Sequence, residues 1–189
     1  MNIQTWLQAK YLPISLIALM VLTRFEHFGG ALHLPDASLA VFFFAGLFRK
    51  KALLLFLLAL AALIDVAAIQ NGTSSYCLSP AYVFLIPTYS VMFFAGQYCA
   101  KFKSLSLSSL SIQLSAVWVS ASVAFGISNY SFYLFAGLFD DLTLSQYAGR
   151  VTQFYMPYVS SVMLYAGLFY ALMLLVKLIS ALKTNQKPA

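Results

Sequence analysis

The sequence predicts an all-α integral membrane protein, a six-transmembrane-helix bundle that forms a single domain over residues 1–189. Hydrophobic residues make up 62% of the chain and charged residues only 8%, whereas a soluble domain carries roughly 25% charged residues. The mean hydropathy is +0.85. The apolar residues form six long runs, and a bilayer helix needs about 20 such residues, so the chain has room for about six or seven crossings.

The first three apolar runs cover residues 11–23, 38–48 and 52–70. A polar or basic connection follows each of them. The second run is short for a complete crossing, and the aromatic segment 129–139 is interrupted. Both are compatible with a tilted, interfacial or re-entrant helix.

The last three apolar runs cover residues 81–98, 107–127 and 152–182. Ser79 and Pro80 directly precede the first of these runs. Serine is a favoured helix N-cap and proline suits the first helical turn, so the fourth helix is expected to begin there with Ser79 as its cap.

The distribution of basic residues predicts the orientation of the helices. If the N-terminus is cytoplasmic and the loops alternate, nine of the 11 basic residues face the cytoplasm and only Arg24 and Arg150 lie outside. Cytoplasmic loops are enriched in lysine and arginine, so both termini are predicted to be cytoplasmic. Because the basic residues stand at the ends of apolar runs rather than across a polar surface, nucleic acid is not an expected partner. The acidic residues then lie outside or in the outer half of the membrane: Glu26, Asp36, Asp65, Asp140 and Asp141.

An aromatic-Ala-Gly pattern occurs four times, as FAGLF at 44–48 and 135–139, FAGQY at 94–98 and YAGLF at 165–169. The intervals between the copies are irregular, so an internal duplication is not indicated. We interpret the copies as packing notches, since alanine and glycine let membrane helices approach closely.

Asp65 interrupts the third apolar run, in ALLLFLLALAALIDVAAIQ. An ionisable residue within a membrane helix costs free energy unless it faces a polar cavity or a partner. Asp65 is therefore a candidate functional residue on the outer side. The alternative is a structural hydrogen bond to a neighbouring helix.

Cys77 lies in the polar segment NGTSSYCLSP, just before the expected start of the fourth helix. Amide dipoles at a helix N-terminus favour a thiolate, and Tyr82 in the first turn can hydrogen-bond toward the same place. Asp65 could accept the thiol's proton if the two meet, whereas a carboxylate that stayed charged would oppose thiolate formation. An inert small hydrophobe is the alternative interpretation of Cys77. Cys99 lies at the other end of the same helix, so no disulfide is expected between the two cysteines.

The outer segment TRFEHFGGALHLPDAS supplies Glu26, His27 and His33. Together with Cys77 these residues could hold a soft or borderline metal, so a small membrane metal or redox protein that uses Cys and His ligands is an alternative function. The close ligand spacings typical of zinc sites are absent from the sequence. P-loop, Rossmann and G-x-S-x-G patterns are also absent, so the sequence resembles neither an ATPase nor a serine hydrolase.

Two stretches of the chain, TRFEHFGGALHLPDASLAVFFFAGLF and ALIDVAAIQNGTSSYCLSPAYVFLIPTY, carry a family resemblance. They resemble the BtuM family of cobalamin-specific S-components, which are related to the energy-coupling-factor (ECF) transporters. The cysteine-containing loop is the most diagnostic part. The resemblance implies a six-helix bundle of the ECF S-component type that lies in the lipid of the bacterial inner membrane. This protein would capture cobalamin from the outer side.

The resemblance also implies roles for individual residues. The Cys77 thiolate would be an axial ligand of the cobalt in cobalamin and would remove cyanide from cyanocobalamin, with Asp65 and Tyr82 as polar neighbours. A thiolate is a soft, strongly donating ligand that suits this role. His27 would face the cobalt or the nucleotide side of the ligand. The other expected corrinoid-binding residues are Arg24, Thr73, Ser74, Ser75 and Tyr76.

The first helix departs from the wider S-component pattern. S-components typically dock on a transmembrane energising partner through an alanine-x-x-x-alanine pair in that helix. Here the helix reads YLPISLIALMVLT, with Ser15 and Ala18 but no such pair. Two alternatives follow. Either the protein docks on an ECF energising module, or it works alone or with another partner.

Overall fold

The computed structural model describes residues 12–26, 34–47, 51–71, 79–102 and 106–185. Every regular element within these ranges is a helix, which confirms the all-α prediction. A helix overlaps each of the six apolar runs. We number the α-helices α1 Leu12–Glu26, α2 Ser38–Leu47, α3 Lys51–Gln70, α4 Leu85–Cys99, α5 Leu107–Phe135, α6 Leu144–Val151 and α7 Tyr155–Asn185; 3-10 turns at Pro80–Phe84 and Thr152–Phe154 lead into α4 and α7.

Among the described residues, three helical stretches are long and apolar enough to cross a membrane: Lys51–Gln70, Leu107–Phe135 and Leu144–Ile179. Their outer surfaces carry large hydrophobic side chains that are exposed in the isolated chain, such as Leu55, Leu107 and Leu164. Side chains of this kind suit a lipid environment better than water. Crossing by the other three segments, and the cytoplasmic position of both termini, remain predictions.

Helix α2 lies at the centre of the bundle. All ten of its residues are buried, because α1, α3, α4, α5 and α7 all pack against it. At 1.5 Å per residue the helix is about 15 Å long, which is half of a bilayer core of about 30 Å. The shortness that the sequence indicated thus belongs to an internal helix, enclosed by longer ones.

The Ala-Gly notch prediction is confirmed for two of the four copies, which pack against each other. Gly46 in α2 and Gly96 in α4 meet where the two backbones touch. A Cβ atom on Gly46 would overlap the carbonyl oxygen of Phe93, and one on Gly96 would overlap that of Phe43. Only glycine permits such a close approach.

The notch prediction is wrong for the other two copies. Gly167 is exposed on α7, and a Cβ atom there would have no neighbour within 4 Å among the described residues. Gly137 has a φ of 68° and follows Ala136, the C-cap of α5. Glycine is favoured at this position because it adopts the left-handed conformation that ends a helix. Residues 129–135 are therefore the last turns of α5, and Gly137 is the interruption that the sequence showed.

Candidate functional site

A buried ion pair joins α1 to α3. The Nε of Arg24, in the last turn of α1, donates to Oδ1 of Asp65 at 2.7 Å, and Nη2 donates to Oδ2 at 2.6 Å. The two side chains are only 8% and 9% exposed. Such a two-point pair between a guanidinium and a carboxylate is strong and directional, and it meets the cost of placing Asp65 inside an apolar helix.

The remaining nitrogen of Arg24 connects two further helices. Nη1 donates to the hydroxyl of Tyr89 in α4 at 2.5 Å and to Oγ of Ser38 at the start of α2 at 3.1 Å. It also reaches Oδ2 of Asp36 at 3.4 Å. Phe42 of α2 stacks on the ring of Tyr89, with centroids 4.3 Å apart. This stacking helps to hold the Tyr89 hydroxyl in place against Arg24. One guanidinium therefore connects α1, α2, α3 and α4.

Asp36 holds the start of α2 and contributes a second negative charge to the cluster. Its Oδ1 accepts from the backbone N–H of Ser38 at 2.8 Å and from the Ser38 hydroxyl at 2.6 Å. The backbone N–H of Ala37 donates to Oγ1 of Thr23 at 3.1 Å. The Asp36 side chain is 31% exposed. One guanidinium thus faces two carboxylates, and the more exposed carboxylate belongs to Asp36.

Tyr82, shortly after the Cys77 segment in the chain, is also part of the cluster. Its hydroxyl donates to Oδ2 of Asp65 at 2.7 Å, so this oxygen accepts from both Arg24 and Tyr82. The structure thus brings three predicted site residues together: Arg24, Asp65 and Tyr82. The alternative interpretation of Asp65 was a structural hydrogen bond to a neighbouring helix, and Asp65 makes such bonds. Asp65 also lines a cavity.

That cavity has a volume of about 340 Å³ and lies between α1, α3, α4 and the C-terminal part of α5. A second cavity of about 370 Å³ adjoins it, and Asn129 and Phe132 of α5 line both. The walls contain both polar and apolar side chains, as in sites for ligands with both characters. The first cavity is lined by Arg24, Asp36, Asp65, Ala81, Tyr82, Leu85, Tyr89, Ser128, Asn129 and Phe132.

The start of α4 differs in one detail from the sequence prediction. Ser79 is the N-cap of the 3-10 turn and Pro80 occupies its first turn, as expected, but the Ser79 side chain makes no capping hydrogen bond. The backbone N–H of Tyr82 donates to the Ser79 carbonyl at 2.8 Å instead, because a 3-10 turn is tighter than an α-helical one. The buried Oγ of Ser79 is left with no hydrogen-bond partner within the described part of the chain.

Several predicted site residues lie outside the described residues: His27, Thr73, Ser74, Ser75, Tyr76 and Cys77. His33 and the side chain of Glu26 also do, so the alternative Cys and His metal set rests on residues that the structure does not describe. Within the described ranges, no three His, Cys, Asp or Glu side chains are grouped as metal ligands. Cys99 is a free, buried thiol at the end of α4.

Sequence reasoning missed Tyr89 and Asn129 as parts of the site. Tyr89 follows Tyr82 by seven residues, so two helical turns place both hydroxyls on the same side, and this spacing was a usable signal. Asp36 was noted only as an acid of the outer side. Asn129 gave no local signal, because its position depends on how α5 packs against α4.

The described part of the chain is an all-helical fold in which three helical stretches have the length and apolar character of membrane spans. Its candidate site is a buried Arg–Asp–Tyr cluster that lines a cavity. No protein-family model matches this chain, and no curated protein matches it either.

Proposed function

We propose that this chain is a multi-pass membrane protein that binds cobalamin for uptake across the bacterial inner membrane, with the Cys77 thiolate as a ligand of cobalt. It also removes cyanide from cyanocobalamin. The observation that carries this proposal is the Arg24–Asp65–Tyr82 cluster, which lines a cavity beside both ends of the segment that contains Cys77. That segment leaves the end of α3 soon after Asp65 and returns at Ser79, three residues before Tyr82.

The Arg24–Asp65 pair removes one obstacle to a thiolate in this segment, while Asp36 keeps the formal charge of the whole cluster at −1. A lone carboxylate at Asp65 would oppose ionisation of a nearby thiol. Arg24 neutralises Asp65 through two hydrogen bonds, so Asp65 and Arg24 together add no net charge. The Tyr82 hydroxyl donates a hydrogen bond to Asp65, so the lone pairs of the hydroxyl oxygen can accept another hydrogen bond.

The cyanide step is a ligand exchange. The Cys77 thiolate donates an electron pair to cobalt, and the Co–S bond forms. Cyanide leaves with the electron pair of the Co–C bond and takes up a proton from solvent. The oxidation state of cobalt does not change, so the step needs no reductant. Thiolates are suited to it because they are soft, strongly donating ligands.

In the same proposal, His27, Arg24 and the polar residues 73–76 contact the corrinoid. Arg24 lines the first cavity. Aromatic side chains such as Phe132 match the apolar faces of the corrin. Helix α1 has Ser15 and Ala18 on its exposed side but no alanine-x-x-x-alanine pair of the kind typical of S-components. We therefore propose that uptake does not require a shared ECF energising module, and uptake by cells that lack the module tests this point.

The absorption spectrum of protein purified from cells supplied with cyanocobalamin tests the proposal. We expect bound corrinoid with cobalt in a one-to-one ratio, and a spectrum that changes in Cys77→Ala. Cys99→Ala is the matched control, because it removes the buried thiol at the far end of α4 and should leave the spectrum unchanged.

Two results would contradict the proposal at different levels. If Cys77→Ala bound and processed cyanocobalamin like the wild type, ligation by sulfur would be wrong. If the wild-type protein bound no corrinoid, and its metal content were copper or zinc, the alternative metal protein would replace cobalamin binding.

A further inference from the structure

The two cavities meet at one face of α5. Asn129 and Phe132 are three residues apart, so they lie on the same side of the helix, and both line both cavities. Asn129 lines the first cavity together with Arg24, Asp36 and Asp65. A ligand that extended from one cavity into the other would have to pass these two side chains.

The hydrogen bond of Asn129 determines what its amide offers to a ligand. Its Nδ2 donates to the carbonyl of Phe125, one turn earlier in α5, at 2.9 Å. Only an amide nitrogen can donate to a carbonyl, so the orientation of the side-chain amide is fixed chemically. The side-chain oxygen is then turned away from that carbonyl. The second N–H of Nδ2 remains a donor, and the side-chain oxygen lets Asn129 accept a hydrogen bond from an N–H or O–H of a ligand in the cavity.

The charges of the first cavity favour a donor rather than an anionic acceptor on the ligand. Its charged lining residues in the described part of the chain are one arginine, whose three nitrogens all donate to protein acceptors, and two aspartates. The formal charge of these three groups is −1. The Asp36 carboxylate is the most exposed of them. An anionic group in this cavity would meet a carboxylate and an amide oxygen, and like charges at short range repel.

We propose that Asn129 is a ligand-binding residue, whose side-chain oxygen accepts a hydrogen bond from a carboxamide N–H on the edge of the corrinoid. Phe132, beside it, packs against the ring. The first cavity thereby selects for amides and against carboxylates at the ligand edge that enters it. This inference rests on the proposed cobalamin function and adds a substrate feature that the cavity recognises.

The test compares cyanocobalamin with its separate monocarboxylate isomers, in each of which one edge amide is hydrolysed to a carboxylate. Affinities are measured by absorption titration of the ligand-free, detergent-purified protein. We expect at least one isomer to bind the wild-type protein about tenfold or more weakly than cyanocobalamin, because it loses a donor and adds a like charge.

Asn129→Leu removes the acceptor and keeps the number and branching of the side-chain heavy atoms. We expect it to weaken cyanocobalamin binding by about 2- to 12-fold, the range for one hydrogen bond, and to reduce the discrimination against that same isomer. Ser122→Ala is the matched control. It removes side-chain bonds to the carbonyl of Trp118 in the same helix and to the hydroxyl of Tyr155 in α7, but it lies outside both cavities, so it should leave both affinities unchanged.

Each outcome bears on one of the two proposals. If every isomer bound as tightly as cyanocobalamin, or Asn129→Leu bound and discriminated like the wild type, this inference would be overturned and the proposed function would stand. If the wild-type protein bound no corrinoid at all, the proposed function would fail and the inference with it. The isomer series uses unaltered protein, so it decides the matter even if Asn129→Leu does not fold.

Discussion

At the scale of single residues, Arg24 is the group on which the polar cluster depends. It makes hydrogen bonds to Asp65, Tyr89, Ser38 and Asp36, and so ties together four helices. A buried charge that loses its partner is strongly destabilising, whereas a pair removed as a unit costs much less. Removal of one member should therefore lower the free energy of unfolding more than removal of both members together.

Loss of either charge should destabilise the protein more than loss of both. We expect Arg24→Gln and Asp65→Asn each to lower the free energy of unfolding by about 3–5 kcal/mol, and the double variant to lower it by less than the sum of the two. Thermal or denaturant unfolding in detergent measures this. Arg150→Gln, at an exposed arginine, is the control for loss of charge alone. Additive effects in the double variant would contradict the pair.

The two tyrosines of the cluster should respond differently to loss of their hydroxyls. Tyr89 is buried and its hydroxyl accepts from Arg24, so Tyr89→Phe should mainly lower thermal stability. Tyr82 is half-buried beside the Cys77 segment. We therefore expect Tyr82→Phe to slow cyanide removal about tenfold while the protein stays folded, from the loss of one charge-assisted hydrogen bond. Equal cyanide-removal rates in wild type and Tyr82→Phe would remove Tyr82 from the reaction.

At the scale of helices, the sequence predicted where each helix lies but not which helix is enclosed. Runs of apolar residues mark a helix well, since hydropathy is a local property. The burial of α2 is not local, because it depends on five other helices that pack around it. The same reason explains the notches. Four copies of one pattern look alike in sequence, yet only Gly46 and Gly96 meet another backbone.

This contrast between identical patterns gives a prediction for α2 and α7. Gly46→Ala adds a methyl group where the Phe93 carbonyl lies, so we expect a loss of about 1–3 kcal/mol in the free energy of unfolding. Gly167→Ala adds the same group in open space on a helix. There alanine should stabilise by up to about 1 kcal/mol, since it is the better helix former. Equal effects at both positions, measured as unfolding midpoints, would contradict the packing of α2 on α4.

At the scale of the whole molecule, the two ends of the bundle differ in charge: one has a neutral buried hydrogen bond and the other has the charged cluster. At the end of α4 away from the site, Tyr170 of α7 donates to Oε1 of Gln113 in α5 at 2.6 Å, and both side chains are buried. This bond closes the space between α5 and α7. At the other end, the charged cluster lines an open cavity. The sequence located Asp65 and Tyr82 but could not predict Asn129, because it is the packing of α5 that brings a third wall to the site.

The polarity of the bundle predicts how it lies in the membrane. If the positive-inside bias sets the orientation, the cavity end faces outward and both chain termini lie in the cytoplasm. Reporter domains that are active only in the cytoplasm, fused before Met1 or after Ala189, should both be active. A fusion to the chain ended at Asn71, just after α3, is the matched control and should be inactive, because three crossings place it outside. Activity at Asn71 together with inactive terminal fusions would mean that the molecule has the opposite orientation. The site would then lie on the cytoplasmic side, where it could not capture an external ligand.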